Sequence, residues 1–143
     1  MKQKKSLRAF IFYSALTVII TAPSLAVAED LPAKYKETMN KKIDAVKEEA
    51  SRKVIKSWGY NKQVAELYCR PAAQDYLKLH YPNVDRLFLG MNTPGSLHRE
   101  KNLLTGNGSM RDDNQWKDIT FSCEFDPEKG TVNAFKLALA HDK

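Results

Sequence analysis

The segment from Trp116 to Phe125 constrains the fold more tightly than any other part of this chain. Ile119, Phe121, Cys123 and Phe125 alternate with Asp118, Thr120, Ser122 and Glu124. A strand sorts these residues onto one apolar and one polar face, whereas helical geometry would mix them. The compact run Asp126-Pro127-Glu128-Lys129-Gly130 follows, and Thr131 to Leu139 returns with Phe135, Leu137 and Leu139 on one face. This reads as an antiparallel hairpin. Its inward face carries Cys123, one of the chain's two cysteines.

The amino terminus bears on where such a hairpin would fold. Lys2, Lys4, Lys5 and Arg8 precede an uncharged run from Ala9 to Ala28, and Ala26-Val27-Ala28 stands before Glu29-Asp30. A basic tip, an apolar stretch and a small-residue site are the parts of a secretory leader. Cleavage is expected near Ala28/Glu29, with the product periplasmic or secreted. The rival reading is an uncleaved membrane anchor. Pro23 breaks the apolar run near its end, which favours cleavage. No later segment is long enough to span a bilayer, so no stable membrane insertion is expected after cleavage. Losing 28 of 143 residues leaves 115, enough for one core. Four of the 23 Lys and Arg lie in the leader, leaving 19 against 17 acids. A balance that close to neutral argues against a nucleic-acid partner.

Between leader and hairpin the pattern is first helical, then extended. Tyr35, Met39, Ile43, Val46, Ala50 and Val54 recur at helical spacing, which predicts one amphipathic helix from Ala33 to Ser57. Glu37–Lys41, Glu48–Arg52 and Glu49–Lys53 are placed to pair on its outer face. The run has eight basic and four acidic residues, but the interleaved acids and weak apolar stripe argue against a membrane-surface helix. Gly59 is placed as a left-handed cap. A second helix starts with Asn61 as cap, is kinked by Pro71 and ends before Tyr81-Pro82-Asn83. Val84 to Met91 then reads as a strand, Asn92 to Gly95 as a turn, and Leu97 to Thr105 as an irregular extended stretch leading to a turn or bulge at Gly106-Asn107-Gly108. The expected class is α+β: an amphipathic helix, a kinked second helix and a small antiparallel sheet of about four strands. The expected division is a leader at 1–28, a helical segment at 29–60 and a disulfide-stapled domain at 61–143.

In an oxidising compartment Cys69 and Cys123 are expected to pair. The closed loop would contribute about 4 kcal/mol in the chain-entropy model. Redox-active cysteines usually sit together in a Cys-x-x-Cys turn, which this chain lacks. Gly106 to Arg111 matches neither a phosphate loop nor a nucleophile elbow. Asn107-Gly108-Ser109 fits the N-glycosylation pattern, relevant only in a eukaryotic secretory route. His80, His98 and His141 are scattered, so no metal site and no cofactor is expected. Asp112-Asp113 before Asn114 reads as a solvated turn rather than a catalytic pair. No Ser-His-acid set can be assembled, and the chain is read as not an enzyme. Arg111 and Trp116, with Arg99 approaching across the sheet, form a weak candidate binding group for a carboxylate, phosphate or sugar. The reading preferred to this has Trp116 cap the hydrophobic core while Arg111 lies along it, apolar stem buried and head solvated.

Taken together, Glu66-Leu67-Tyr68-Cys69, Pro82-Asn83-Val84-Asp85, Gly106-x-Gly108-x-x-Arg111, Trp116, Ile119-x-Phe121-x-Cys123-Glu124 and Val132-x-x-Phe135 resemble a family of small exported proteobacterial domains catalogued as a domain of unknown function, family nine-thirty. The resemblance covers roughly residues 61 to 140. It implies a cysteine pair, an exported location and no catalytic residues. The chain departs from the pattern at Asn107 and at Ser109-Met110, where small apolar residues are expected. The functional expectation is a non-catalytic binding or envelope-accessory module whose partner is another envelope protein. The alternatives are an inhibitor of an envelope-directed hydrolase of lysozyme type and, behind it, a small hydrolase.

Overall fold

The computed structural model describes residues 31–91, 93 and 95–140. The expected leader, its cleavage point and His141 lie outside them. Among the described residues no helix is long and apolar enough to cross a membrane. The helices come first: α1 (Ala33–Asp44), α2 (Glu49–Ser57), α3 (Tyr60–Val64), a π-helical turn (Ala65–Cys69) and α4 (Arg70–His80). The strands follow as β1 (Val84–Leu89), β2 (Leu97–Glu100), β3 (Leu103–Asp112), β4 (Gln115–Asp126) and β5 (Thr131–Leu139). The α+β class holds, with five antiparallel strands.

The single helix expected from Ala33 to Ser57 is two helices. Met39 and Ile43 of the stripe are buried, but its continuation through Ala50 and Val54 is exposed, and Ile55 enters the core instead. Breaking the chain between α1 and α2 lets that different face reach the interior. Arg52 secures the break: its Nη1 donates to the carbonyls of Val46 at 2.6 Å and Lys47 at 3.1 Å. Carbonyls just past a helix end lack intrahelical partners, and the guanidinium supplies them. Arg52 is thereby diverted from the expected pair with Glu48, which accepts from Ser51 Oγ at 2.7 Å instead. The pairs Glu37–Lys41 and Glu49–Lys53 do form, at 2.7 and 2.8 Å.

Gly59 is not a left-handed cap. Its φ of −65° and ψ of 157° make it the N-cap of α3, and its carbonyl accepts from the amides of Lys62 and Gln63. Asn61, expected as the cap, lies inside the helix. Pro71 has no amide to donate to Leu67, and the chain meets this defect by widening one turn from Ala65 to Cys69. The expected kink is therefore a π-helical turn within a helical run from Tyr60 to His80.

In the sheet β3 is flanked by β4 on one side and by both β1 and β2 on the other, with β5 beyond β4. β1 pairs with residues 108 to 112 and β2 with residues 103 to 106, so the two lie end to end as one interrupted edge. The interruption closes at Asn107, whose carbonyl accepts from Gly90 N at 2.8 Å and whose amide donates to Ser96 O at 3.0 Å. Gly106-Asn107-Gly108 is thus strand interior, not a turn. Its glycines answer to crowding: a Cβ on Gly108 would stand 2.3 Å from the carbonyl oxygen of Phe88. The turns lie elsewhere, with positive φ at Lys101 between β2 and β3 and at Asp113 and Asn114 between β3 and β4. Two consecutive positive values are the signature of a two-residue hairpin.

Ile119, Phe121, Cys123 and Phe125 all face inward, as their alternation requires. They pack against Val64, Ala65, Tyr68, Ala73 and Leu77 of the helical layer, with Met39, Ile43 and Ile55 in the same cluster. The Cys69–Cys123 disulfide joins the π-helical turn to the carboxy-terminal half of β4, with Cα atoms 5.9 Å apart. The core therefore continues across residue 60, and the amino-terminal helices share it.

Candidate binding surface

The sheet is covered on one side, so the other face of its strands meets solvent, and alternation decides what appears there. On β3 the even positions Leu104, Gly108 and Met110 point inward, and Arg111 points out. Trp116 is directly opposite on β4. It is 52% exposed on the outer face, so it does not cap the core. Phe88 of β1, 47% exposed, reaches over β3 from the other side. Its ring stacks on Trp116 with centroids 5.6 Å apart, and the Arg111 guanidinium lies 6.0 Å from the indole.

Arg111 is held in place. The register between β1 and β3 shifts between Val84 and Arg86, and the inserted residue, Asp85, turns its carboxylate to the guanidinium. Arg111 Nε donates to Asp85 Oδ1 at 2.7 Å, and Nη2 donates to Oδ2. This two-pronged pairing fixes the orientation of both groups. It holds the Asp85 carboxyl below its ordinary range and raises Arg111. Arg86 adds a second cation beside the pair, with no hydrogen bond among the described residues.

Asp85, Arg86 and Phe88 also line a groove of about 510 Å³ between β1 and α4. Its floor is apolar, with Leu77, Tyr81, Val84 and Leu87, and Arg70 and Lys78 stand on the helical bank. The outer-face patch and the groove share a lip at Phe88.

Behind the groove lies a charged ladder that the sequence reading missed. Lys62, Glu66 and Arg70 are spaced by four on one helix face. Lys62 Nζ is 2.9 Å from Glu66 Oε1, and Arg70 Nε donates to Glu66 Oε2. Each cation also donates to the edge of β1: Lys62 to Leu89 O and Arg70 to Leu87 O, both at 2.7 Å. Burial pushes the Glu66 carboxyl up, but the bonds from Arg70 and Lys62 outweigh it and leave the group below its ordinary value. The spacing of the three residues was visible in sequence. Their reach to β1 was not.

Arg99 does not join this surface. It lies on β2 opposite Leu104 and turns inward to the helices, with its guanidinium 5.4 Å from the Tyr60 ring and its Nε donating to Asn61 Oδ1 at 3.2 Å. Its register partner is seven residues along β3 from Arg111, on the order of 23 Å of strand. His80 stacks on Tyr76 and His98 is exposed on β2. Asp112 pairs with Lys117 at 2.6 Å, which raises the lysine's pKa, and Asp113 enters the turn. Among the described residues no cluster of His, Cys, Asp and Glu could hold a metal. The hydroxyl of Tyr68 is buried with no hydrogen-bond partner among the described residues, and burial raises its pKa. No family model, curated protein or solved structure matches the chain.

Proposed function

We propose that this chain is an exported, non-catalytic binding module, and that its partner in the cell envelope docks on Phe88, Trp116 and Arg111. The observation that carries this reading is the stacked, half-exposed aromatic pair beside an arginine held rigid by Asp85. Aromatic rings and arginine are the side chains that most often dominate binding energy, because they bury much area and lose little freedom on docking. Here the ordering is already made within the free protein. Arg86 stands on the strand side of the adjoining groove with no hydrogen-bonded acid among the described residues, which favours a partner carrying carboxylates or phosphates.

The two acids nearest this surface are placed as ion-pair partners. Asp85 and Glu66 are both held below their ordinary values by cations. A general acid or base working near neutrality needs the opposite shift. The residues behind the family resemblance support the same surface, since Asp85, Arg111 and Trp116 come from three separate motifs and meet there.

The test is affinity capture from a periplasmic fraction, followed by titration of the captured component. Trp116→Ala should weaken binding about tenfold or more with the melting temperature unchanged. A partner that binds Trp116→Ala and Phe88→Ala as tightly as the parent would refute the site. Lysozyme inhibition, measured on the same variants, identifies or removes that class of partner.

A further inference from the structure

The two edges of the sheet differ in a way that neither the patch nor the groove explains. At β1 the outward carbonyls of Leu87 and Leu89 are taken by Arg70 and Lys62. At β5 the alternation can be followed residue by residue. Ala140 N donates to Asp118 O at 2.8 Å, and Ala138, Lys136 and Ala134 stand opposite Thr120, Ser122 and Glu124. Those even-numbered residues turn their amides and carbonyls toward β4, so Phe135, Leu137 and Leu139 turn theirs away. Among the described residues no hydrogen bond reaches those outward groups. β5 is nine residues long, contains neither Pro nor Gly, and carries Lys136 as its single charge. Proteins usually block such an edge, because it is a template for another strand.

We propose that β5 pairs antiparallel with β5 of a second copy of this chain, about a twofold axis at Leu137. An axis there sets Phe135 opposite Leu139 of the second copy and Leu137 opposite its own equivalent. Leu139, 39% exposed in the single chain, is then covered by an aromatic ring. On the outer face Lys136 meets Ala138 of the second copy, so no like charges stand directly opposite. An axis at Phe135 would instead set Leu137 against Asn133 and Leu139 against Thr131, apolar against polar. Such a contact is self-complementary and closes at two copies. On the opposite edge β1 is latched by Arg70 and Lys62, and β2 beside it is only four residues long, so that edge offers no comparable template on which to grow.

Sedimentation velocity on the purified protein over a concentration series tests this. The parent should shift from monomer to dimer. Leu139→Pro removes an outward amide that β4 does not use and should abolish the dimer. Ala138→Glu lies on the exposed outer face, where folding tolerates it, and sets a carboxylate opposite Lys136 of the other copy. It should tighten association several-fold at low salt, and the gain should vanish in Ala138→Glu/Lys136→Glu. A parent that stays monomeric at every concentration, a dimer indifferent to Ala138→Glu, or assembly beyond two copies would each overturn the proposal.

Discussion

Single residues in this protein are fixed by what stands next to their Cα atoms. In sequence Gly59 reads as a helix cap and Gly108 as part of a turn or bulge, and the structure separates them by what surrounds each. A Cβ at Gly108 meets the backbone of Phe88, whereas nothing lies within 4 Å of the position at Gly59. Gly108→Ala should therefore cost about 2–3 kcal/mol, since backbone cannot move aside as a flexible side chain can. Gly59→Ser should add roughly 0.5 kcal/mol, because serine caps a helix start better than glycine and restricts the unfolded chain. Urea denaturation of the two variants reads both. Glu66 makes a third case. Its folded pKa is depressed from the ordinary 4.5, so its contribution is present above that value and is lost as pH falls through the lower folded one. Glu66→Gln should lower stability at neutral pH by roughly 1–3 kcal/mol. It should also flatten the parent's stability loss below about pH 4.5, measured by denaturant titration at successive pH values.

At the scale of elements, legibility followed periodicity. β4 and β5 could be read because alternation over many residues has one geometric solution. The break between α1 and α2 could not, because the stripe continues through Ala50 and Val54, and only the position of the core shows that Ile55 is the residue buried. The glycines at 106 and 108 misled for a related reason. Glycine marks either a turn or a close approach, and telling them apart needs the neighbouring strand. The disulfide was expected from two cysteines and an oxidising compartment. It ties elements 54 residues apart, and replacing both cysteines by alanine should cost about 4 kcal/mol. Calorimetry of the double variant against the oxidised parent checks this. A loss under about 1 kcal/mol would mean that the unfolded chain keeps its own constraint.

At the scale of the molecule the described residues share one core cluster, and that bears on how the amino-terminal helices are interpreted. Met39 and Ile43 are each 2% exposed, and Thr38 Oγ1 donates to Glu128 O at 3.1 Å beside the β4–β5 turn. α1 is therefore part of the fold it precedes. Ile43→Ala should cost about 2–5 kcal/mol while leaving the Phe88–Trp116 surface intact. Binding measured well below the new melting temperature should be unchanged. If binding were lost with folding retained, α1 would belong to the interface.

What the sequence determined by itself was the period of each element and therefore which residues of a strand share a face. That is a local property, set by backbone geometry, and it placed Cys123 inward beside Ile119, Phe121 and Phe125. The tertiary structure alone decided which faces meet. It set Asp85 against Arg111 by a one-residue shift in register, brought Phe88 over Trp116 across an intervening strand, and sent Arg99 to the opposite face. It also latched β1 with Lys62 and Arg70, while among the described residues no hydrogen bond reaches the outward backbone groups of Phe135, Leu137 and Leu139 on β5. These are contacts between residues distant in the chain, and their geometry depends on register and packing, which no local pattern encodes.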